Sequence, residues 1–336
     1  MTLPARYKRL VVSEPGPDFR KVAVPVEAAL TMPGPGEVLI RNLIAGVNAS
    51  DPMWSSGAYE FLAPPIEVGC EAGGEIVAVG DGVENVGIGD HVVHFGSGGY
   101  GEYLRVPAEQ LFPVPEVTPE VISAFIVGIT ASVGLKETGV LRSGETVLVT
   151  AAAGGVGSYA VQLAKLAGNH VVGTCSDDGK AAWLRELGCD RVINYRKEDV
   201  AEVLAREYPK GIDVVFESVG RRMFDIAVEH LALFGRLVSI GAISEYVDGM
   251  NWEKVESVRP YWTLQGKCAT MCGCLLTYYP QEVWRRHFAE LLRLVAAGKL
   301  RATVDKKLFR GMDSIHDAVD YLQSGMNRGK VVVHFD

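Results

Sequence analysis

The chain has 336 residues, 48% of them hydrophobic and 22% charged, with a formal net charge of −8. This length exceeds the size at which one core keeps growing, so two domains are expected. A negative balance without a basic cluster argues against nucleic acid or a membrane surface as partner. No apolar run of membrane-span length and no secretory h-region stand out, so a cytoplasmic protein is the expectation.

Residues 1–120 read as β-rich, with strand-like runs at 38–44 and 74–80 bounded by Gly and Pro. Asp81-Gly82 and Gly89-Asp90 are turn signals, and 96–101 is a glycine loop. His91 and His94 lie in a strand-like segment and read as structural. From Pro119 the period becomes helical over 119–139, and from Thr146 strands and helices alternate. Strands are expected at 170–175, 191–195, 212–216 and 236–240, with helices around 180–187 and 199–208. A further helix carries Phe224, Ala227, Val228 and Leu231, and an amphipathic one spans 281–297. Strands joined by crossover helices imply a parallel sheet covered on both faces. Residues 300–336 read as strand, helix and strand, returning to the first domain around a nucleotide-binding insert.

Six cysteines are too few and too scattered for a disulfide framework. The trio Cys268, Cys272 and Cys274 has no zinc spacing and no nearby histidine, and reads as buried thiols in a strand. No Ser-His-Asp arrangement stands out.

Residues 147–157, Val-Leu-Val-Thr-Ala-Ala-Ala-Gly-Gly-Val-Gly, are a buried strand entering a small-residue turn that opens a helix. Such a turn lets a pyrophosphate reach backbone N–H groups at a helix N-terminus. Ala151, Gly154 and Gly157 give A-x-x-G-x-x-G rather than the full fingerprint. The ordered strand, turn, helix and second strand nevertheless favour a dinucleotide site, with Gly154, Gly155, Val156 and Gly157 at its turn. An NAD-specific site ends its second strand in Asp or Glu, and here that position is Cys175. Asp177 and Asp178 suit capping of the next helix.

The order of domains, with Gly46-Val47-Asn48-Ala49-Ser50-Asp51, residues 150–157, Gly173-Thr174-Cys175-Ser176 and Glu217-Ser218-Val219-Gly220, resembles the medium-chain dehydrogenase/reductase superfamily, in its zinc-free quinone and enoyl reductase branch. The resemblance implies an α/β fold: a doubly wound Rossmann domain (126–300) and a β-rich GroES-like domain, discontinuous in sequence (1–125 and 301–336). It implies NADPH as cofactor, with Ser176, Lys180 and Tyr195 around the 2′-phosphate; a solvated Lys180 with Asp177 on the ribose is the other reading. Val156 falls at the pyrophosphate turn, Ser218 and Ile240 on the ribose–nicotinamide side, and Tyr246 along the cofactor. Cys274, Leu275 and Leu276 match a segment whose backbone meets the nicotinamide amide. Asn327 matches a late cofactor contact or is a turn residue beside Gly329. Thr130 begins a helix near the cofactor or is simply a helix residue.

Zinc-dependent members use a Cys in the segment matched by Asn48 and a His in the triplet that is Gly69-Cys70-Glu71 here. With both replaced, no metal is expected. The implied reaction is reduction of the carbon–carbon double bond of an α,β-unsaturated ketone, 15-oxoprostaglandins included. Tyr59 is either proton donor or a packed loop aromatic, and Asn48 lies near the nicotinamide ribose or the substrate carbonyl. Quinone reduction uses nearly the same motifs, and a regulatory protein that binds NADPH without turnover is a third reading. A homodimer is expected, through strands near 268–276.

Overall fold

The computed structural model describes residues 3–58, 62–246 and 260–335. It divides into two compact units. One takes the described residues up to Ile126, Tyr246 and those from Val304 onward, and the other takes Val127–Glu245 with 260–303.

The first unit is built on antiparallel strands. The long strand Glu37–Val47 pairs with Glu71–Val79, Tyr103–Pro107 and, from the far end of the sequence, Val331–His334. His91–Phe95 and Phe112–Val114 continue the sheet beyond Glu71–Val79, and a smaller sheet pairs Arg6–Val12 with Ala23–Ala29 and Ile66–Glu67. The apolar residues of the strands meet the helix Ile315–Gln323 in one core containing Leu10, Phe19, Val47, Tyr100, Ile315 and Val333. The register Val331↔Val47 brings Lys330 opposite Asn48, and Ala72↔Ala45 brings Glu71 opposite Gly46. Three distant stretches of sequence thus converge at one strand end.

The second unit carries six parallel strands. They pair in the order Arg191–Asn194, His170–Cys175, Thr146–Val149, Ile212–Glu217, Leu231–Ser239, Thr270–Gly273. This is a doubly wound sheet, its order reversing between the strands that begin at Thr146 and Ile212. The central strand segments Val147–Val149 and Val214–Phe216 are apolar and fully buried, as expected of a parallel sheet covered on both faces. Leu148, Val172, Ile193, Val215 and Leu237 are buried with Val203, Leu204 and Ile226 of the helices.

Differences from the sequence reading are local. Leu231, expected in a helix, opens the strand Leu231–Ser239, because the helix Arg221–Glu229 stops two residues earlier. Cys268 is exposed, Cys272 half-buried and only Cys274 buried, so the trio does not form one buried strand face. Residues 119–138 are helical as expected, with π turns at Ala124–Gly128 and Gly134–Thr138. This segment is long and apolar enough to cross a membrane, contrary to the reading of composition. Two-thirds of its apolar window is buried inside the fold, as in a core helix.

Candidate active site

At the first crossover of the parallel sheet the backbone turns sharply. Ala151 adopts a left-handed conformation, φ 45°, which is unusual for a residue with a side chain. Its strain is held by two bonds to the neighbouring strand: Ala151 N–H to Thr174 Oγ1 (3.2 Å) and Ala152 N–H to Thr174 O (3.0 Å). Gly154 then caps the helix Gly155–Leu166 with no side-chain bond, so the first-turn N–H groups are left for an external acceptor. Gly157 has to be glycine: a Cβ there would lie 2.5 Å from Ala151 O and 2.8 Å from Ala152 Cα. This close approach sets the helix against the turn and aims its dipole at the sheet's C-terminal edge.

One strand over, Cys175 pairs with Asn194, and Tyr195 N–H bonds Cys175 O at 3.1 Å. Ser176 and Tyr195 therefore leave adjacent strand ends together. Asp177 caps the next helix, accepting from Lys180 N–H at 2.8 Å on one oxygen and from Ser176 Oγ at 3.1 Å on the other. Both carboxylate oxygens thus serve the chain's own groups, so Asp177 makes a poor ribose acceptor. Lys180 is only 7% exposed, which is not the environment of a solvated helix lysine. Tyr195 is half exposed.

At the reversal of strand order Glu217 is buried. Its Oε1 accepts from Val219 N–H (2.8 Å) and Gly220 N–H (3.1 Å), shaping the turn around Ser218. Burial raises the Glu217 carboxyl above its ordinary value, and those backbone donors oppose the shift. Thr150 Oγ1 accepts from Ser218 N–H at 2.8 Å. The Ser218 hydroxyl is buried without a hydrogen-bond partner among the described residues, an orphan that a bound ligand would satisfy. The register Glu217↔Ser239↔Gly273 aligns the residues that follow. Ile240 N–H bonds Glu217 O (2.8 Å) and Cys274 N–H bonds Ser239 O (2.9 Å). Ser218, Ile240 and Cys274 therefore succeed one another along the C-terminal edge. Leu275 is exposed and Leu276 buried beyond them. Thr130, half-buried, lies on the helix Ile129–Val133, and Tyr246, half-buried, ends the short helix Ile243–Tyr246.

The first unit holds a second cluster, entirely buried. Asp51 Oδ2 accepts from Asn48 N–H (2.7 Å) and from the Tyr100 hydroxyl (2.6 Å), and its Oδ1 accepts from Cys70 N–H (3.3 Å). Burial pushes the Asp51 carboxyl up and carries the Cys70 thiol and the Tyr100 phenol well above their ordinary values. Asn48 Oδ1 accepts from the Lys330 ammonium at 2.6 Å, and its Nδ2 donates to Glu71 Oε2 at 3.0 Å. The amide is therefore committed at both ends. Lys330 and Glu71 thus take the amide groups of the residue expected near the nicotinamide ribose or the substrate carbonyl. Asn327 in the same unit is buried and donates to Gly329 O at 2.9 Å, closing a turn. Tyr59 lies outside the described residues.

Sequence reasoning quoted Thr174, Glu217 and Glu71 within motifs without giving them a role, and missed Lys330. A lysine directly before the apolar run Val331-Val332-Val333 was the available signal for the last. It also saw no triad, yet Ser132 Oγ and His287 Nδ1 stand 2.7 Å apart, and His287 Nε2 lies 2.9 Å from Glu137 Oε1. Ser132 is 1% exposed, so this chain of bonds clamps the helix Ile129–Val133 to Gln281–Ala296 and presents no nucleophile.

Comparison with known proteins gives these sites a lineage. Residues 34–116 match a family model described as alcohol dehydrogenase GroES-like domain, and residues 155–296 one described as zinc-binding dehydrogenase. The chain belongs to the medium-chain dehydrogenase/reductase family. Among its relatives it is similar to prostaglandin reductase-3 of Mus musculus, 42% identical over 340 residues, covering 98% of this chain and 90% of that protein. It is 43% identical over 341 residues to a probable quinone oxidoreductase of Leishmania amazonensis, covering 99% of each. The structure of Escherichia coli quinone oxidoreductase complexed with NADPH superposes with a TM-score of 0.86 at 28% identity, covering 97% of this chain and 99% of that one.

The second family description raises zinc, and the residues here do not fit it. Asn48 offers a neutral amide already bonded, burial and the neighbouring carboxylates Asp51 and Glu71 keep the Cys70 thiol protonated, and the Lys330 ammonium already sits among them. Among the described residues no group of three or more His, Cys, Asp or Glu side chains is placed to hold a metal.

Proposed function

We propose that this chain is a zinc-independent, NADPH-dependent reductase of the carbon–carbon double bond of α,β-unsaturated ketones, with 15-oxoprostaglandin-like lipids among its substrates. The observation that carries the cofactor reading is that Ser176 and Tyr195 leave adjacent strand ends, Lys180 is buried in the helix that follows, and the neighbouring carboxylate, Asp177, is committed as that helix's cap. A hydroxyl, an ammonium and a phenol suit a 2′-phosphate dianion. Gly154, Gly155, Val156 and Gly157 receive the pyrophosphate. Ser218, Ile240, Cys274, Leu275 and Leu276 line the nicotinamide side, with Thr130 as a further contact. Similarity to prostaglandin reductase-3 supports the choice of substrate class.

Bound NADPH supplies the hydride. The protein's task is to hold the enone so that its β-carbon receives that hydride, to stabilise the enolate oxygen, and to return a proton to the α-carbon. Tyr59 is the proposed donor, since a phenol donates a hydrogen bond while neutral. Asn48 acts indirectly, by fixing the loop that leads to the helix Asp51–Ser56. Quinone reduction is the second reading, supported by the Leishmania and E. coli relatives. Steady-state rates with an enone and a quinone, each with NADPH and NADH, test the proposal. Reduction of the quinone alone, or equal use of NADH, defeats it. We also propose a homodimer formed along Thr270–Gly273, the edge strand among the described residues.

A further inference from the structure

The strand Thr270–Gly273 runs out into a turn that is pinned from three sides. Cys274 N–H bonds Ser239 O at 2.9 Å, and the single 3₁₀ turn Leu276–Tyr278 follows. Leu276 O accepts from Tyr279 N–H at 3.0 Å and from the indole Nε1–H of Trp284 at 3.1 Å, so both of its lone pairs are used. The same indole N–H reaches Tyr279 O, also at 3.1 Å, and so brackets the turn at both ends. Trp284 belongs to the helix Gln281–Ala296 and is buried. From the other side, the Tyr279 and Thr138 hydroxyls stand 2.6 Å apart. Thr138 closes the π turn Gly134–Thr138, a local distortion of a kind that recurs at functional sites, and its carbonyl also accepts from Cys272 Sγ at 3.7 Å. Leu275 and Tyr278, at the crest of the turn, are exposed and gain little from burial. The path of the backbone there rests on the polar bonds at its base.

We propose that Trp284 is a positioning residue for the reduction. Its indole N–H, with the hydroxyl pair of Thr138 and Tyr279 opposite, fixes the backbone of residues 274–276 where the nicotinamide ring must lie, and it acts through the two carbonyls it holds. The inference rests on the proposed NADPH reading, in which those three residues line the nicotinamide side.

The test compares two ligands by isothermal titration calorimetry on the full-length chain. One is NADPH, and the other is adenosine 2′,5′-bisphosphate, which carries the 2′-phosphate and lacks the nicotinamide half. Trp284→Phe keeps an aromatic ring and removes the N–H donor. It should raise the Kd for NADPH roughly 5- to 20-fold and leave that for the bisphosphate within about twofold, whereas a general loosening of the fold would weaken both alike. Tyr279→Phe, which removes only the hydroxyl bonded to Thr138, should show the same split at smaller size, and it decides the matter if Trp284→Phe does not fold. An equal loss for both ligands, or an unchanged Kd for NADPH, overturns the role of Trp284 and leaves the cofactor site standing. A native chain that does not bind both ligands overturns the NADPH reading itself, and this inference with it.

Discussion

Acid should loosen the first unit through a single buried histidine. His94 lies in the strand His91–Phe95 at 2% exposure, and its Nε2 has no hydrogen-bond partner among the described residues. Burial lowers its pKa from 6.5 to about 4, so the folded chain keeps the ring neutral while an unfolded chain protonates it. Stability from this group is complete above pH 6.5, declines as pH falls and levels off below about 4. A separation of about 2.5 units corresponds to about 3 kcal/mol. Hydrogen exchange of the peptide spanning His91–Phe95, measured by mass spectrometry between pH 7.5 and 4 and corrected for intrinsic rates, reads the effect locally. His94→Leu, which neither titrates nor leaves an unsatisfied nitrogen, should flatten the profile. An equal acid loss of protection in His94→Leu and the native chain would refute the assignment.

On the proposed cofactor reading, Lys180→Ala should raise the KM for NADPH roughly 10- to 100-fold and leave that for NADH unchanged, as checked by steady-state kinetics. Gly157→Val, whose first side-chain carbon would fall 2.5 Å from Ala151 O, should abolish NADPH binding in fluorescence titration. Glu217→Gln keeps an acceptor for the Val219 and Gly220 N–H groups and should change the unfolding free energy by less than about 1 kcal/mol. Glu217→Ala strands those donors and should cost about 2–3 kcal/mol in urea titration. Tyr59→Phe should lower kcat for an enone at least tenfold if the phenol donates the proton. A loss of less than a few-fold leaves Tyr59 as a packed aromatic.

Local chemistry was readable where it is local. The strand His170–Cys175 and the cap at Asp177 follow from residues a few positions apart. Leu231 was misread because it continues the apolar phase of the preceding helix, and only pairing with Ile212 reveals it as strand. The burial of Lys180 and the convergence of Ser176 with Tyr195 needed the parallel register. Lys330, Glu71 and Asn48 meet through pairings that no periodicity encodes. Asn48 drew attention for its motif, but the partners that occupy its amide lie 23 and 282 positions away. The Ser132–His287–Glu137 chain escaped notice for the same reason, and its burial shows why geometry without access is not catalysis.

The pairing of Val331–His334 with Glu37–Val47 also bears on how the chain is made. A ribosome releases Glu71 long before Lys330 emerges, so their buried pair forms only once the strand Val331–His334 has been made. The parallel-sheet unit, lying between, can complete its own core earlier. Closure of the antiparallel sheet is thereby deferred to the last strand, and an interrupted chain would expose an unfinished edge that cellular quality control can recognise.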